Sequence, residues 1–442
     1  MQNEGNQKPQ PLATLVGFRF AFIYLALYIF PFPYSRSAAP PHWLRALWLR
    51  VTPWVGTHLL GVTIRPGFGD LGDAADEYIR ILVLLGVAAL CTLIWSIADR
   101  RRPNYNPLHE WFRIYVRLFL AGEMVGYGME KILPVQFKEP ALSTLLARFG
   151  EMSPASLLWA SMGATRIYSF FGGLIEVLGG LLLFIPRLST VGALVCVGAT
   201  TNVLAVNLGY DINVKQYSFH LLLLAVFLII PSLRSLADLL VFQRKAYLDP
   251  PQPFFHRAWL NRAVLLLQLT YGGYVVVHEF VEARRQALQH QEVVTNIPFA
   301  GIWTVDEFRR NGVSLPPLTT DDRRWWRVIV QRDPFDFNPS WAIEMASGLR
   351  RYFDVELDNG ATVIRLTPVN DDRSWFPESY RGKPPDPVVA TFRLIASETG
   401  LLTLEGEFEG QSVRASLHRT DTQFLLLQRG FRWVSDRPLW TR

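Results

Sequence analysis

Gly172-Gly173-Leu174-Ile175-Glu176-Val177-Leu178-Gly179-Gly180-Leu181-Leu182-Leu183-Phe184-Ile185 decides the fold. It lies in an apolar stretch, 165–186, of the length needed to cross about 30 Å of hydrocarbon with ~20 residues. Its one carboxylate, Glu176, sits near the middle. A charged group at a helix centre costs about 2.5–3.5 kcal/mol on insertion scales, so it needs a partner, a proton or a task. Gly172 and either Gly179 or Gly180 lie one turn away on its side of the helix. Small residues there let a neighbouring backbone approach closely, or leave room for a flat ligand.

Segments of similar character recur on both sides. Including this one, the expected spans are 14–33, 77–98, 112–133, 165–186, 188–209, 216–236 and 260–280, about seven transmembrane helices. Half of the 442 residues are hydrophobic and 19% are charged, high and low respectively for a soluble protein. The average hides a division: residues 12–282 hold the apolar runs, while 283–442 read as ordinary soluble protein. Leu15 to Phe30, with Ser37-Ala38-Ala39 behind it, faintly suggests a signal peptide. Only Lys8 precedes it and the run is rich in Phe and Tyr, so an uncleaved first helix is favoured.

Arg100, Arg101 and Arg102 follow the second span and Arg187 the fourth. Arg234, Arg244, Lys245, Arg257 and Arg262 lie between the sixth and seventh. The positive-inside rule then puts the N-terminus in the cytoplasm of a bacterial inner-membrane protein, with the C-terminal domain periplasmic or extracellular. Arg45, Arg50 and Arg65 in the first outer loop argue the other way. In that loop Trp43, Leu47, Trp48, Val51 and Trp54 recur at helical spacing, which suits an amphipathic helix in the interface or a packed loop helix. The net charge of +6 is spread over helix ends rather than gathered into a patch, which argues against nucleic acid.

Gly67, Gly69 and Gly72 spell GxGxxG without the strand and βαβ unit a nucleotide site needs. They read as a turn, with Asp73 or Asp76 capping the second span. Gly17-Phe18-Arg19 and Trp111-Phe112-Arg113 open the first and third spans as a faint internal repeat. Cys91 and Cys196, each inside a span, offer no CxxC or haem-attachment pattern. The eight histidines show no metal-binding spacing; His58 and His109 could meet only in space, which spacing does not reveal.

The third span carries Glu123, Tyr127 and Glu130 on one helical face, with Lys131 and Arg113 flanking it. At 1.5 Å per residue, Glu123 and Glu176 each lie roughly 15 Å below the outer ends of their antiparallel helices. Asn202, Asp211, Lys215, Tyr217 and His220 add polar groups to the outer half of the next two spans. These residues predict a polar pocket in the outer half of the bilayer. A quinone-like ligand would suit it: two electrons reaching a quinone bring two protons, which Glu176 or Glu123 would handle as general acid–base groups. Tyr127, Lys131, Asn202 and His220 would hold the carbonyl oxygens. The bland reading is that Arg or Lys satisfies both carboxylates and they fix helix register. Proton-coupled transport is a further alternative, without the broken helices or clear inverted repeats that would support it.

Residues 110–240 carry a family resemblance. Arg113, Gly122, Gly128 and Glu130-Lys131, then the glycine-rich run around Glu176, then Asn202, Asn207-Leu208-Gly209-Tyr210-Asp211 and Lys215, resemble the four-helix core of the DoxX-like membrane family. The whole arrangement is similar to its long form, with a helical hairpin before the core and a helix plus β-domain after it. The resemblance covers about a third of the chain. It implies quinone-linked sulfur oxidation or a thiol redox system, or else an assembly or chaperone-like role. With no protein-borne electron carrier evident in the sequence, redox chemistry would need a periplasmic or membrane redox partner. The matching rival is a non-enzymatic scaffold, assembly factor or lipid-binding protein. On this reading the segments are 1–109 (hairpin with interfacial loop), 110–245 (four-helix core), 246–285 (seventh helix and linker) and 286–442 (β-rich domain).

After Glu282 short alternating strands are expected at 303–305, 326–330, 342–345, 362–366, 390–394, 402–405, 413–417 and 424–427. Turns at Asp358-Asn359-Gly360 and Glu409-Gly410 help separate them. About eight strands predict a small antiparallel barrel. Gly301-Ile302-Trp303 and Arg429-Gly430-Phe431 faintly suggest a lipocalin-like cup, though a solid barrel serving as a docking cap is preferred.

Overall fold

The computed structural model describes residues 10–30, 41–64, 72–247, 255–295, 297–332, 339–358, 363–369, 387–398 and 400–428. The chain divides into two compact units. One comprises residues 1–136 and 167–285, the other 137–166 and 286–442.

The first unit is helical. Its elements are α1 (Leu12–Ile29), α2 (His42–Leu59), α3 (Ala75–Ala98), α4 (Asn106–Ile132), then, after an excursion into the second unit, α7 (Arg166–Phe184), α8 (Ser189–Gly209), α9 (Lys215–Ile229), α10 (Leu233–Leu240) and α11 (Ala258–Thr295). Among the described residues six helical stretches are long and apolar enough to cross a membrane. They are α1, α3, α7, α8 with the turn before it, α9 running into α10, and α11. Of the two other helices at least as long as α1, α4 carries charges that lower its hydropathy, yet it contributes heavily to the core of the bundle. Phe112, Val116, Leu120, Ala121, Met124 and Val125 are all at most 4% exposed, and they pack on α1, α3 and α9. Helix α1 belongs to the same core through Tyr24, Leu25, Tyr28 and Ile29.

The seventh expected span differs from the sequence reading. It does not give way to a linker near residue 280 but continues as one 38-residue helix to Thr295. The apolar stretch ends there, but nothing such as Gly or Pro stops the helix, and strong helix formers such as Arg, Gln, Ala and Leu carry it on.

The second unit is a closed antiparallel barrel of eight strands. It comprises β1 (Gly301–Arg310), β3 (Trp325–Arg332), β4 (Pro339–Met345), β5 (Arg350–Leu357), β6 (Val363–Pro368), β7 (Ala390–Glu398), β8 (Leu401–Phe408) and β9 (Gln411–Thr420). Each strand pairs with the next and β9 returns to β1, while the two-residue β2 (Val313–Ser314) extends the far end of β1. Closure leaves no full-length edge to pair with other chains. The Glu409-Gly410 turn joins β8 to β9, and both residues have positive φ (53° and 73°), the backbone of a tight two-residue hairpin.

Two strand assignments needed correction. Residues 424–427 are not a strand; a short helix runs over Leu425–Gln428. The eighth strand is β5, Arg350-Arg351-Tyr352-Phe353-Asp354-Val355-Glu356-Leu357. Arg350, Asp354 and Glu356 face out while Phe353 and Val355 face in, with Arg351 on their face against the Phe353 and Phe408 rings. Asn359, Gly360 and Arg429-Gly430-Phe431 fall outside the described residues.

Aromatic rings fill the barrel. Trp325 lies 5.3 Å from Phe308, 5.6 Å from Phe392 and 5.3 Å from Phe408, centroid to centroid, and Trp341 and Phe353 are buried with them. Arg324 is 3% exposed and donates to the carbonyls of Leu315, Trp325, Val305 and Asp306. Burial holds its pKa below the ordinary arginine value.

Residues 137–166, placed with the helical core in the sequence reading, cluster with the strands. They contain α5 (Leu142–Leu145) and α6 (Pro154–Ala164). Gln331 of β3 accepts from the Ser143 amide and donates to its hydroxyl, both at 2.8 Å, and Arg350 donates to the Ser143 and Leu146 carbonyls.

Candidate functional site

Missing β-carbons create the site. A methyl group on Gly128 of α4 would come within 2.6 Å of the Gly173 carbonyl on α7, and one on Gly180 within 2.8 Å of the Ala121 carbonyl. The two backbones therefore lie in contact. This sets Lys131, in the last turn of α4, beside Glu176. The ammonium donates to both carboxylate oxygens, at 2.7 and 2.6 Å, and the two side chains are only 10% and 6% exposed. The glycines near Glu176 divide their work. Gly173 and Gly180 face α4, and Gly179 faces Cys196 of α8, so backbone and side chains fill those places. Gly172, one turn from Glu176, has no heavy atom within 4 Å of where a β-carbon would stand.

Two turns back along α4, Glu123 is 9% exposed and accepts from the Tyr217 hydroxyl of α9 at 2.5 Å. Tyr127 lies between. Its ring is 6.0 Å from that of Tyr217, and the Lys131 ammonium is 5.8 Å from its centroid. The structure thus gathers Glu123, Tyr127, Lys131 and Glu176, with Tyr217, into one polar belt across α4, α7 and α9.

The start of α9 is fixed from elsewhere. Asp73 accepts from the Lys215 and Gln216 amides at 2.8 and 3.0 Å, and Lys215 reaches Asp211 at 2.7 Å. The sequence reading gave Asp73 or Asp76 to the start of α3, where Ala74 in fact precedes the helix without a side-chain cap. The reason is Gly72. A β-carbon there would come within 2.5 Å of the Asn213 carbonyl, so its absence lets the turn before α9 close on Asp73. Gly67 and Gly69 lie outside the described residues.

His220 faces another wall. Its Nδ1 lies 2.7 Å from the Gln216 carbonyl, which can only accept, so Nδ1 carries a proton. The neutral ring then accepts at Nε2 from the Tyr24 hydroxyl at 2.6 Å, while Tyr28 stacks on it with centroids 4.0 Å apart. Both nitrogens are engaged, Nδ1 within α9 and Nε2 by Tyr24 of α1, rather than offered to a carbonyl in the belt. Asn202 is exposed on α8. The buried amide is Asn207, about 140° further round the helix, whose Nδ2 donates to Ser218 at 3.1 Å.

Sequence reasoning missed two further clusters. Arg19 is 1% exposed and donates to Tyr105, Ser96 and the Asp99 carbonyl, each at 2.9 Å. Arg117 donates to Gln268 of α11. A lone arginine inside an apolar run was the available signal, but its partners lie far away in sequence. Arg113, the counterpart of Arg19 in the faint repeat, pairs locally with Glu110 instead. His58 stacks on Trp54 and His109 contacts the rings of Phe18 and Phe227, so these two histidines do not meet. Among the described residues no three His, Cys, Asp or Glu side chains gather as a metal site, and Cys91 and Cys196 are free thiols.

No protein-family profile matches the chain, and no solved structure matches it. It is similar to an uncharacterized protein, YwoB, of Bacillus subtilis (strain 168): 28% identity over 122 residues, covering 26% of this chain and 71% of the relative.

Proposed function

We propose that this multi-pass membrane protein is a component of a quinone-linked redox system, with the belt around Glu176 as its proton-handling site. The supporting observation is the nearly buried Lys131–Glu176 pair between the last turn of α4 and the apolar α7, one turn from the open flank of Gly172. A buried ion pair is a poor means of stabilising a bundle, because desolvation of both charges offsets most of their attraction. It is well suited to passing a proton between a carboxylate and a ligand oxygen beside it. Glu123, held by Tyr217, supplies a second acidic group on the same face. Reduction of the quinone takes two electrons and two protons. The electrons come from a membrane or periplasmic redox partner, and the carboxylates relay the protons. The resemblance of residues 110–240 to the DoxX-like family supports this role. The charge pattern supports an inner-membrane protein with its N-terminus in the cytoplasm and its C-terminal domain outside.

A scaffold or assembly role is the second reading. It is favoured by the saturation of Lys131 and Glu176 by each other and by the filling of Gly173, Gly179 and Gly180 by neighbouring helices. One measurement separates the two. Quinone is extracted from detergent-purified wild type and from Glu176→Gln and Lys131→Met variants, each compared with bulk membrane. The redox reading expects near-stoichiometric quinone in the wild type and loss of it in folded variants. Quinone at the bulk-membrane level in all three would overturn that reading in favour of the scaffold.

A further inference from the structure

We infer that α2 is a lipid-docking helix whose outward stripe seats Arg50 on the phosphates of anionic phospholipids, with Trp43 and Trp54 flanking it at the level of the acyl boundary. The helix lies in the connection between two apolar helices, α1 ending at Ile29 and α3 beginning at Ala75, so it stays near one membrane face. Its inner side is narrow: Thr52 and Gly56 are buried, and Trp48 packs against the bundle core. The opposite side holds Trp43, Leu47, Arg50, Trp54 and His58 at spacings of four, three, four and four residues, one face of a helix. On it Trp43 is 60% exposed, Leu47 46% and Trp54 55%, and Arg50 is exposed as well.

Three environments are conceivable for such a face, and its composition selects one. A face turned to water would be polar throughout, which two tryptophans and a leucine contradict. A face sunk among acyl chains would exclude Arg50. Tryptophan with arginine on one stripe is the composition of the headgroup layer, where the indole stays amphipathic and the guanidinium meets phosphate. Charge selects the lipid class. Residues 42–59 contain Arg45, Arg50, His42 and His58 and not one Asp or Glu. A basic amphipathic helix is drawn to anionic lipid in addition to its apolar contact.

The test uses the full-length chain with Cys91 and Cys196 replaced by alanine and a nitroxide attached at Leu47→Cys. It is reconstituted into phosphatidylcholine nanodiscs with or without phosphatidylglycerol. Collision with oxygen against a water-soluble nickel chelate reports depth. The expected result is a label reached by oxygen and shielded from nickel. Arg50→Glu, an exposed substitution that leaves thermal unfolding in detergent unchanged, then raises nickel access several-fold, more strongly in the phosphatidylglycerol discs. A label open to nickel in both discs overturns the proposal. An Arg50→Glu effect of the same size in both discs overturns the assignment to anionic phosphate.

Discussion

Lys131 and Glu176 stand at hydrogen-bond distance where neither has water to fall back on, which makes the pair sensitive to loss of one member. Lys131→Met leaves a buried carboxylate without its counter-charge and should destabilise the folded protein by about 3–5 kcal/mol. Removing both charges in Lys131→Met/Glu176→Gln should recover most of that loss, because two apolar or neutral groups need no pairing. Denaturation in mixed micelles, followed by tryptophan fluorescence, checks the cycle. Additive losses in the double variant would show that the two side chains act through other partners. The pair also marks how far sequence reading reaches at this scale. That Glu176, Glu123 and Lys131 turn inward was legible because a charge facing lipid is costly, and Tyr127 follows Glu123 on the same helical face. Asn202 was chosen over Asn207, and His220 was given the wrong neighbour, because helix rotation and the path of α1 decide those contacts. Nothing local in the sequence encodes either.

At the scale of elements, the contact between α4 and α7 depends on which glycines face inward. Gly128→Ala places a methyl group within 2.6 Å of the Gly173 carbonyl and of the Val177 side chain, which forces the helices apart. Such overpacking costs about 1–3 kcal/mol, and separating the backbones should also weaken the Lys131–Glu176 bond. Gly172→Ala adds its methyl group where no heavy atom lies within 4 Å. It should be neutral or stabilising by up to about 1 kcal/mol through helix propensity. Thermal unfolding in detergent compares them, and equal effects would contradict the assigned faces. In the barrel, Gln331 is the matching element-level contact, since it satisfies a buried amide and hydroxyl of Ser143. Gln331→Ala strands both groups at a cost of about 1–3 kcal/mol. Limited proteolysis should then cut within 137–166 before the strands. Unchanged resistance there would mean that other contacts hold the segment. The eight-strand barrel was legible from alternation and turns, but β5 was hidden by its charged outward face and replaced by the apolar run at 424–427. That run is apolar without alternation, so it carries no strand period.

For the whole molecule, the chain order and the two compact units together constrain membrane topology. Residues 137–166 and 286–442 form one unit, joined by Ser143–Gln331 and Arg350, so both belong on the same side of the membrane. Between them run α7, α8, α9 with α10, and α11, each long and apolar enough to cross. Four crossings return the chain to the side it left, which agrees with that unit. Helix α4 falls short of a span in hydropathy, although its Val116, Leu120, Ala121 and Val125 are fully buried. A helix surrounded by other helices does not need an apolar circumference, because lipid touches little of it. Its charges also have partners: Glu110 for Arg113, Gln268 for Arg117, Tyr217 for Glu123 and Glu176 for Lys131. We therefore expect α4 to cross, giving seven crossings and termini on opposite sides. Single cysteines at Asn104 and Arg244 should react with a membrane-impermeant maleimide only after the cells are opened. Cysteines at Glu151 and Asp321 should react in intact spheroplasts. If the cysteine at Asn104 were also reactive in spheroplasts, α4 would be a helix that enters the bundle without traversing it. The belt at Glu123 and Lys131 would then have to open to the side from which that helix enters.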